Sequence, residues 1–162
     1  MRSATVGLGM RAGSIVNASL SFAPVAAADP NCIFCKVIAG EIPSQMIDSD
    51  ERTITVLDIN PATRGHAVVI TRDHAPSLVE LGDDDLLAAM QAARRVVGLM
   101  RETLHPAGFN ILHNIGRAAW QSIFHFHLHV IPRYEDDPLQ LPWIPGPADP
   151  EELAQVADQI RA

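Results

Sequence analysis

The chain has 162 residues, of which 48% are hydrophobic and 19% charged, and a formal net charge of -7. Such a length supports one domain with a full core, and the composition lies far from the low-hydrophobicity, high-charge signature of disorder. The acidic balance argues against wrapping a nucleic-acid backbone, and no apolar run reaches the ~18 residues needed to cross a bilayer, so neither nucleic acid nor membrane is expected as a partner.

Residues 1–28 read as an N-terminal tail, ahead of a folded domain expected over 29–162. Arg2, Arg11 and the small-residue end "VAAADP" loosely follow a secretory signal, but Ser14, Asn17, Ser19 and Ser21 interrupt the apolar stretch that such a signal needs. Cytoplasmic residence is therefore the expectation and secretion the alternative. "CIFCKVIAGEIPS" predicts a short helical turn ended by Gly40, with Pro43 forbidding continuation. "QMIDSD" and "RTITVLDI" are alternating, β-branched segments that predict two strands, and "GHAVVITR" predicts a third.

Asp83, Asp84 and Asp85 place negative charge where a helix start favours it. Leu86, Met90, Ala93, Val97, Met100 and Leu104 then form one apolar stripe on a long helix running to His105, where Pro106 and Gly108 stop it. "GFNILHNI" is the expected fourth strand and "IFHFHLHVIP" the fifth. Pro138, Pro142, Pro145, Pro147 and Pro150 make the next stretch an extended loop, and a terminal helix is expected over 150–161. Strands gathered on either side of one helix indicate an α+β fold with a largely antiparallel sheet.

On the fifth strand, His125, His127 and His129 share one face with Ile123 and Ile131, while Phe124, Phe126, Leu128 and Val130 point into the core. At ~3.3 Å per residue the outer two histidines stand about 13 Å apart along the strand, so closing all three on one ion would strain it. A row of imidazoles on an open face suits covalent catalysis instead, in which one ring attacks and another hydrogen-bonds the charged group under attack. Cys32 and Cys35, the only cysteines, are spaced C-x-x-C. A zinc half-site, a redox pair and two buried thiols all remain open, although the βαβ context of a thioredoxin-like pair is absent.

"GRAAWQSIFHFHLHVIPR" resembles the signature of the histidine triad (HIT) superfamily, His-φ-His-φ-His-φ-φ with φ apolar, preceded by Gln-Ser or Gln-Thr. "CIFCKVIAGEIPS", "VLDINPATRGHAVVITRDH" and "FNILHNIGRAA" follow the family's order across residues 31–134, nearest its Hint-like bacterial branch. The resemblance implies a HIT-like fold: an antiparallel five-stranded sheet with one long helix and a C-terminal helix. It implies that His127 is the nucleophile at the α-phosphorus of a nucleotide, forming a nucleotidyl-histidine that water hydrolyses. His129 would donate to the phosphoryl oxygens and His66 would support the triad from the neighbouring strand. Asn114 and Gln121 would lie at the phosphate, with Ser122 assisting the leaving group through its hydroxyl. Asp58 would bind the ribose diol as a double acceptor, and Ile33, Phe34, Leu57 and Ile59 would form the slot for the base.

In the same branch a structural zinc is often held by a Cys-x-x-Cys pair and two histidines, which here are Cys32, Cys35, His74 and His125. Such a closed site would anchor the strand presenting His127, and no metal would be required for catalysis. The implied activity is hydrolysis or transfer of nucleoside phosphoramidates or related conjugates, with a purine nucleotide as ligand and a homodimer as the assembly. A dinucleoside polyphosphate hydrolase and a non-catalytic nucleotide-binding regulator stay open as alternatives. The chain departs from the family pattern at Trp120, where glycine usually precedes the Gln-Ser pair, and at Thr71 and Arg72, which replace Pro-Lys.

Overall fold

The computed structural model describes residues 28–140 and 144–162; the expected N-terminal tail, all but its last residue, and Pro142 of the proline-rich loop lie outside them. The elements run α1 (Ile33–Ile38), β1 (Met46–Ser49), β2 (Thr53–Leu57), β3 (Ala67–Thr71), α2 (Asp83–Leu104), β4 (Gly108–Leu112), a 3-10 turn (Arg117–Ala119), β5 (His127–Arg133) and α3 (Pro150–Arg161). All strand pairings are antiparallel, in the order β1-β2-β3-β5-β4. The histidine strand β5 thus lies between β3 and β4, with a neighbour on each side to hold it. Among the described residues no helix is long and apolar enough to cross a membrane.

Alternation along β3 and β5 divides the sheet into two faces. Ala67, Val69, Phe126, Leu128 and Val130 pack under α2. Val68 and Ile70 sit opposite His129 and His127 in the ladder, and they join Ile54, Val56 and Ile38 of α1 on the other face. The α2 stripe is rotated from its expected line: Ala89, Ala92, Ala93, Val96 and Met100 are buried, whereas Met90 is 46% exposed. Small side chains let the helix axis approach the sheet closely, so the larger Leu86, Val97 and Leu104 flank the contact.

The fifth strand begins at His127 rather than at Ile123, where the alternation placed its start. The Phe126 N–H bonds the Ala75 carbonyl at 2.7 Å instead of entering the ladder, so strict alternation does not reach back to Phe124. That ring is 40% exposed, not core, and carries the Arg117 guanidinium 5.3 Å from its centroid. Gly65, just before β3, has φ +88, a backbone conformation that strains any other residue, and a Cβ there would also displace Leu104 Cδ1 at 2.5 Å, so glycine suits the approach to α2 that delivers His66. At the far end of β5, Arg133 forks onto Asp137 through two 2.7 Å bonds and reaches Asn110 Oδ1 at 2.7 Å, which pins β4 to β5. That pairing holds the Asp137 carboxyl well below the usual carboxylate range.

Thr55 is fully buried, and its Oγ1 is the one buried side-chain polar atom without a hydrogen-bond partner among the described residues. Its ladder partner Val69 belongs to the apolar cluster under α2. Thr55→Val keeps the shape and removes the orphaned hydroxyl, so we expect a gain of about 1 kcal/mol and a melting temperature several degrees higher. A lower melting temperature in calorimetry would mean that the hydroxyl has a partner, such as a buried water.

Candidate active site

The protonation pattern of the histidines follows from which backbone groups face them. His127 Nδ1 lies 2.7 Å from the His125 carbonyl oxygen, which only accepts, so Nδ1 carries the proton and Nε2 carries the lone pair. His66 Nδ1 accepts the Ala62 N–H at 3.1 Å, so the proton of the neutral ring sits on Nε2. That Nε2–H donates to His129 Nδ1 at 2.9 Å, which leaves His129 with its proton on Nε2. The result is a nucleophilic nitrogen on His127 beside an N–H donor on His129, their rings 4.9 Å apart and nearly perpendicular.

Burial reinforces the neutral state. It pulls the imidazole of His129 down to about 4 and that of His127 below its ordinary value, the His125 carbonyl opposing the latter shift. His66 is lowered by burial too, with Asp58 acting against it. The face is recessed rather than open as expected from the alternation: His125 is fully buried and His127 5% exposed. Phe34 of α1 covers it, its ring meeting His125 edge-on at 5.9 Å and His127 at 5.0 Å, and His125 is further enclosed by the His74 ring at 4.9 Å.

A depressed histidine pKa makes stability depend on pH. Between the unfolded value of ~6.5 and the folded value of about 4, the unfolded chain binds a proton at residue 129 that the native state refuses. Stability from this source is complete above pH ~6.5 and falls by about 1.4 kcal/mol per pH unit as pH drops through that window. Urea midpoints measured from pH 7.5 to 5 should therefore decline less steeply in His129→Gln than in the wild type; equal slopes would refute the assignment.

Two clusters have the donor types of a metal site. In the first, His125 Nε2–H donates to the Thr71 carbonyl at 2.8 Å, so the Nδ1 lone pair is free. It faces Cys32 Sγ at 3.4 Å, Cys35 Sγ at 3.6 Å and His74 Nδ1 at 3.3 Å, and Cys35 Sγ stands 3.5 Å from His74 Nδ1. A tetrahedral ion bound at ~2.0 Å to nitrogen and ~2.3 Å to sulfur holds its ligands about 3.3–3.8 Å apart, so these donors fit. The Asp29 N–H, 3.4 Å from Cys35 Sγ, supplies a partner for a bound thiolate.

The second cluster, Asp58, His66 and His129, has similar spacing but the wrong proton. Coordination through His66 Nε2 would move its hydrogen to Nδ1, against the Ala62 N–H already pointing there. This cluster is built as a hydrogen-bond relay.

Asp58 closes that relay, its Oδ2 lying 3.6 Å from His66 Nε2 and 4.0 Å from His129 Nδ1 while its Oδ1 accepts the Asn60 N–H. The expected apolar slot is partly open, with Ile33 44%, Leu57 37% and Ile59 85% exposed, and Phe34 forming its half-buried wall. Gln121 is buried and fully engaged: Oε1 accepts the Gly116 N–H at 2.8 Å, and Nε2 donates to the carbonyls of Pro76 and Ile123. Its side chain stitches two loops together, whereas those of Asn114 and exposed Ser122 make no hydrogen bond with other described residues.

Trp120 adopts φ +66 and is 71% exposed. The left-handed backbone explains why glycine suits this position and makes the bulky substitution costly by about 1 kcal/mol. Sequence reading missed His113, which sits just past β4 outside the histidine alternation and bonds the backbone of His127. Its only signal was its nearness to Asn114.

Residues 39–136 match the HIT domain family. A crystal structure of a HIT family member from Bacillus subtilis superposes with a TM-score of 0.75 at 37% identity, covering 81% of this chain and 95% of that one. The adenosine 5'-monophosphoramidase hnt1 of Schizosaccharomyces pombe is 34% identical over 80% of this chain and 96% of its own length. A zinc-bound histidine triad family protein from Mycobacterium smegmatis aligns with a TM-score of 0.65 at 36% identity, over 80% of this chain and 97% of that one.

Proposed function

The chain belongs to the HIT domain family, and from that premise we propose that it hydrolyses, or transfers the nucleotidyl group of, nucleoside phosphoramidates and related conjugates through a covalent intermediate on His127. The observation that carries this reading is the 2.7 Å bond from His127 Nδ1–H to the His125 carbonyl, which aims an Nε2 lone pair away from the backbone. Nε2 attacks the α-phosphorus, and the bond from phosphorus to the leaving nitrogen breaks. The departing nitrogen takes up a proton from solvent and leaves as the amine, a transfer that the Ser122 hydroxyl assists. Positive charge arising on the His127 ring is shared with the His125 carbonyl, and His129 Nε2–H donates to the phosphoryl oxygens as their charge grows. Water then attacks phosphorus, the P–Nε2 bond breaks, and the water's extra proton is released.

In this reading Asp58 takes the ribose diol, and Phe34, Ile33, Leu57 and Ile59 flank a purine. Asn114 meets the phosphate, and Gln121 acts by holding the loop that carries Ser122. Cys32, Cys35, His74 and His125 would hold a zinc ion whose contribution is structural cross-linking. Bound there, it would fix His125, whose carbonyl orients His127. Mass spectrometry of enzyme acid-quenched during turnover of an adenosine phosphoramidate tests the chemistry: an adenylyl group on His127 is expected, and its absence in a turning-over sample refutes covalent catalysis.

A homodimer is part of the same proposal. β4 is an edge strand, and Ile111, Leu112 and Ile115 at its end are 41%, 47% and 45% exposed. An uncovered apolar edge pairs readily with a second copy. Light scattering should give twice the chain mass, and Leu112→Glu should shift the protein toward monomer; a wild-type monomer would exclude this assembly.

A further inference from the structure

We propose that His113 is a positioning residue that holds the nucleophile strand at the point where its ladder runs out. The inference rests on the reaction assigned above, because it concerns how His127 is presented for attack. Pairing of β4 with β5 ends at Leu112 opposite His129. Two residues further in that register, the backbone of Asn114 would stand opposite His127. The Arg133 carbonyl accepts the Ala107 N–H on the β4 side, so alternate residues back along β5 turn their carbonyls the same way, His127 included.

That ladder bond is missing, because the chain leaves the sheet after Leu112. The His113 side chain replaces it: Leu78 N–H donates to Nε2 at 3.1 Å, which places the ring proton on Nδ1, and Nδ1–H donates to the His127 carbonyl at 3.0 Å. The ring also lies against buried Phe126, centroids 4.6 Å apart.

The substitution of side chain for backbone has a purpose. Continuing the strand would commit the main chain of Asn114 to β5, whereas peeling away leaves Asn114 on a loop with its amide uncommitted. One imidazole also bridges the 75–82 segment to β5, alongside the Gln121 bond to the Pro76 carbonyl. Two side chains therefore clamp that segment beside the nucleophile.

The two ring nitrogens can be tested separately, since an Asn side chain ends near the position of Nδ1 and a Gln side chain near that of Nε2. His113→Asn should keep the donor to His127 and retain near-wild-type kcat. His113→Gln should keep only the Leu78 contact, and His113→Leu neither; both should lose roughly ten- to a hundred-fold in kcat with KM little changed, as small misplacements of a reacting group do. Each polar variant forfeits one hydrogen bond, so similar melting temperatures for Asn and Gln would separate positioning from stability.

A readout independent of turnover is ¹⁵N NMR of the His127 ring, whose Nδ1–H signal should move or broaden in the Gln and Leu variants and stay put in Asn. Should wild type lack phosphoramidase activity yet show this pattern, the assigned reaction fails and His113 still positions His127. Wild-type kcat in the Leu variant, or Asn and Gln variants alike in both rate and spectrum, overturns the proposal.

Discussion

Replacing His127 with alanine is expected to lower phosphoramidase turnover by about 10⁴-fold or more, while nucleotide affinity stays within a few-fold of wild type. No other described side chain offers a lone pair in the same place. The His129 Nδ1 is occupied by the His66 proton and its outward Nε2 is itself protonated, so it cannot take over the attack. His129→Ala removes a donor to the phosphoryl group and should cost less, on the order of 10²–10³-fold. His66→Ala frees the tautomer of His129 rather than deleting a contact to substrate, so its loss should be smaller again. Single-turnover kinetics on the three variants, with folding checked by circular dichroism, gives the ranking. Wild-type turnover in His127→Ala would eliminate the covalent mechanism, and a larger loss in His66→Ala than in His129→Ala would eliminate the relay.

Much of this site was legible in side-chain types and spacing. Alternation and short apolar runs located the five strands, the acidic start and Pro106 bracketed α2, and the cysteine pair with His74 and His125 meets as the resemblance implied. What stayed hidden belongs to the backbone. The tautomers of His66, His125 and His127 are set by the Ala62 N–H and by the carbonyls of Thr71 and His125, and no residue pattern encodes where those groups point. The period-two reading also carried the strand back to Ile123 and put Phe124 in the core, because alternation in sequence does not reveal that the Phe126 N–H leaves the ladder for Ala75. Met90 failed for a related reason: spacing marks an apolar arc, and close approach of helix to sheet then chose its alanine-rich side. His113 works through its place at a strand end, a property of register that periodicity cannot report.

Loss of the proposed zinc is the second large effect expected. Cys35→Ser should abolish stoichiometric zinc binding and lower stability by more than about 4 kcal/mol, since losing a buried metal cross-link belongs among the most damaging single changes. For a domain of this size that corresponds to a fall of roughly 10–20 °C in melting temperature. The four donors join α1, the segment after β3 and the entry to β5, elements far apart in the chain, and an ion there would add a cross-link to the Phe126 N–H bond with Ala75 and the Phe34 ring contacts. The consequence should reach catalysis through a short path: the ion would hold His125 through Nδ1, Thr71 holds it through Nε2, and the same residue's carbonyl orients His127. Loosening it should therefore reduce kcat more than it raises KM, which is the opposite of what damage to the base slot would do. Metal analysis, calorimetry and steady-state kinetics on Cys35→Ser and on chelator-treated wild type test this chain of dependence. A metal-free protein that melts at the wild-type temperature and turns over normally would break it at the first link. Intact turnover in a destabilised apo form would instead break it between His125 and His127.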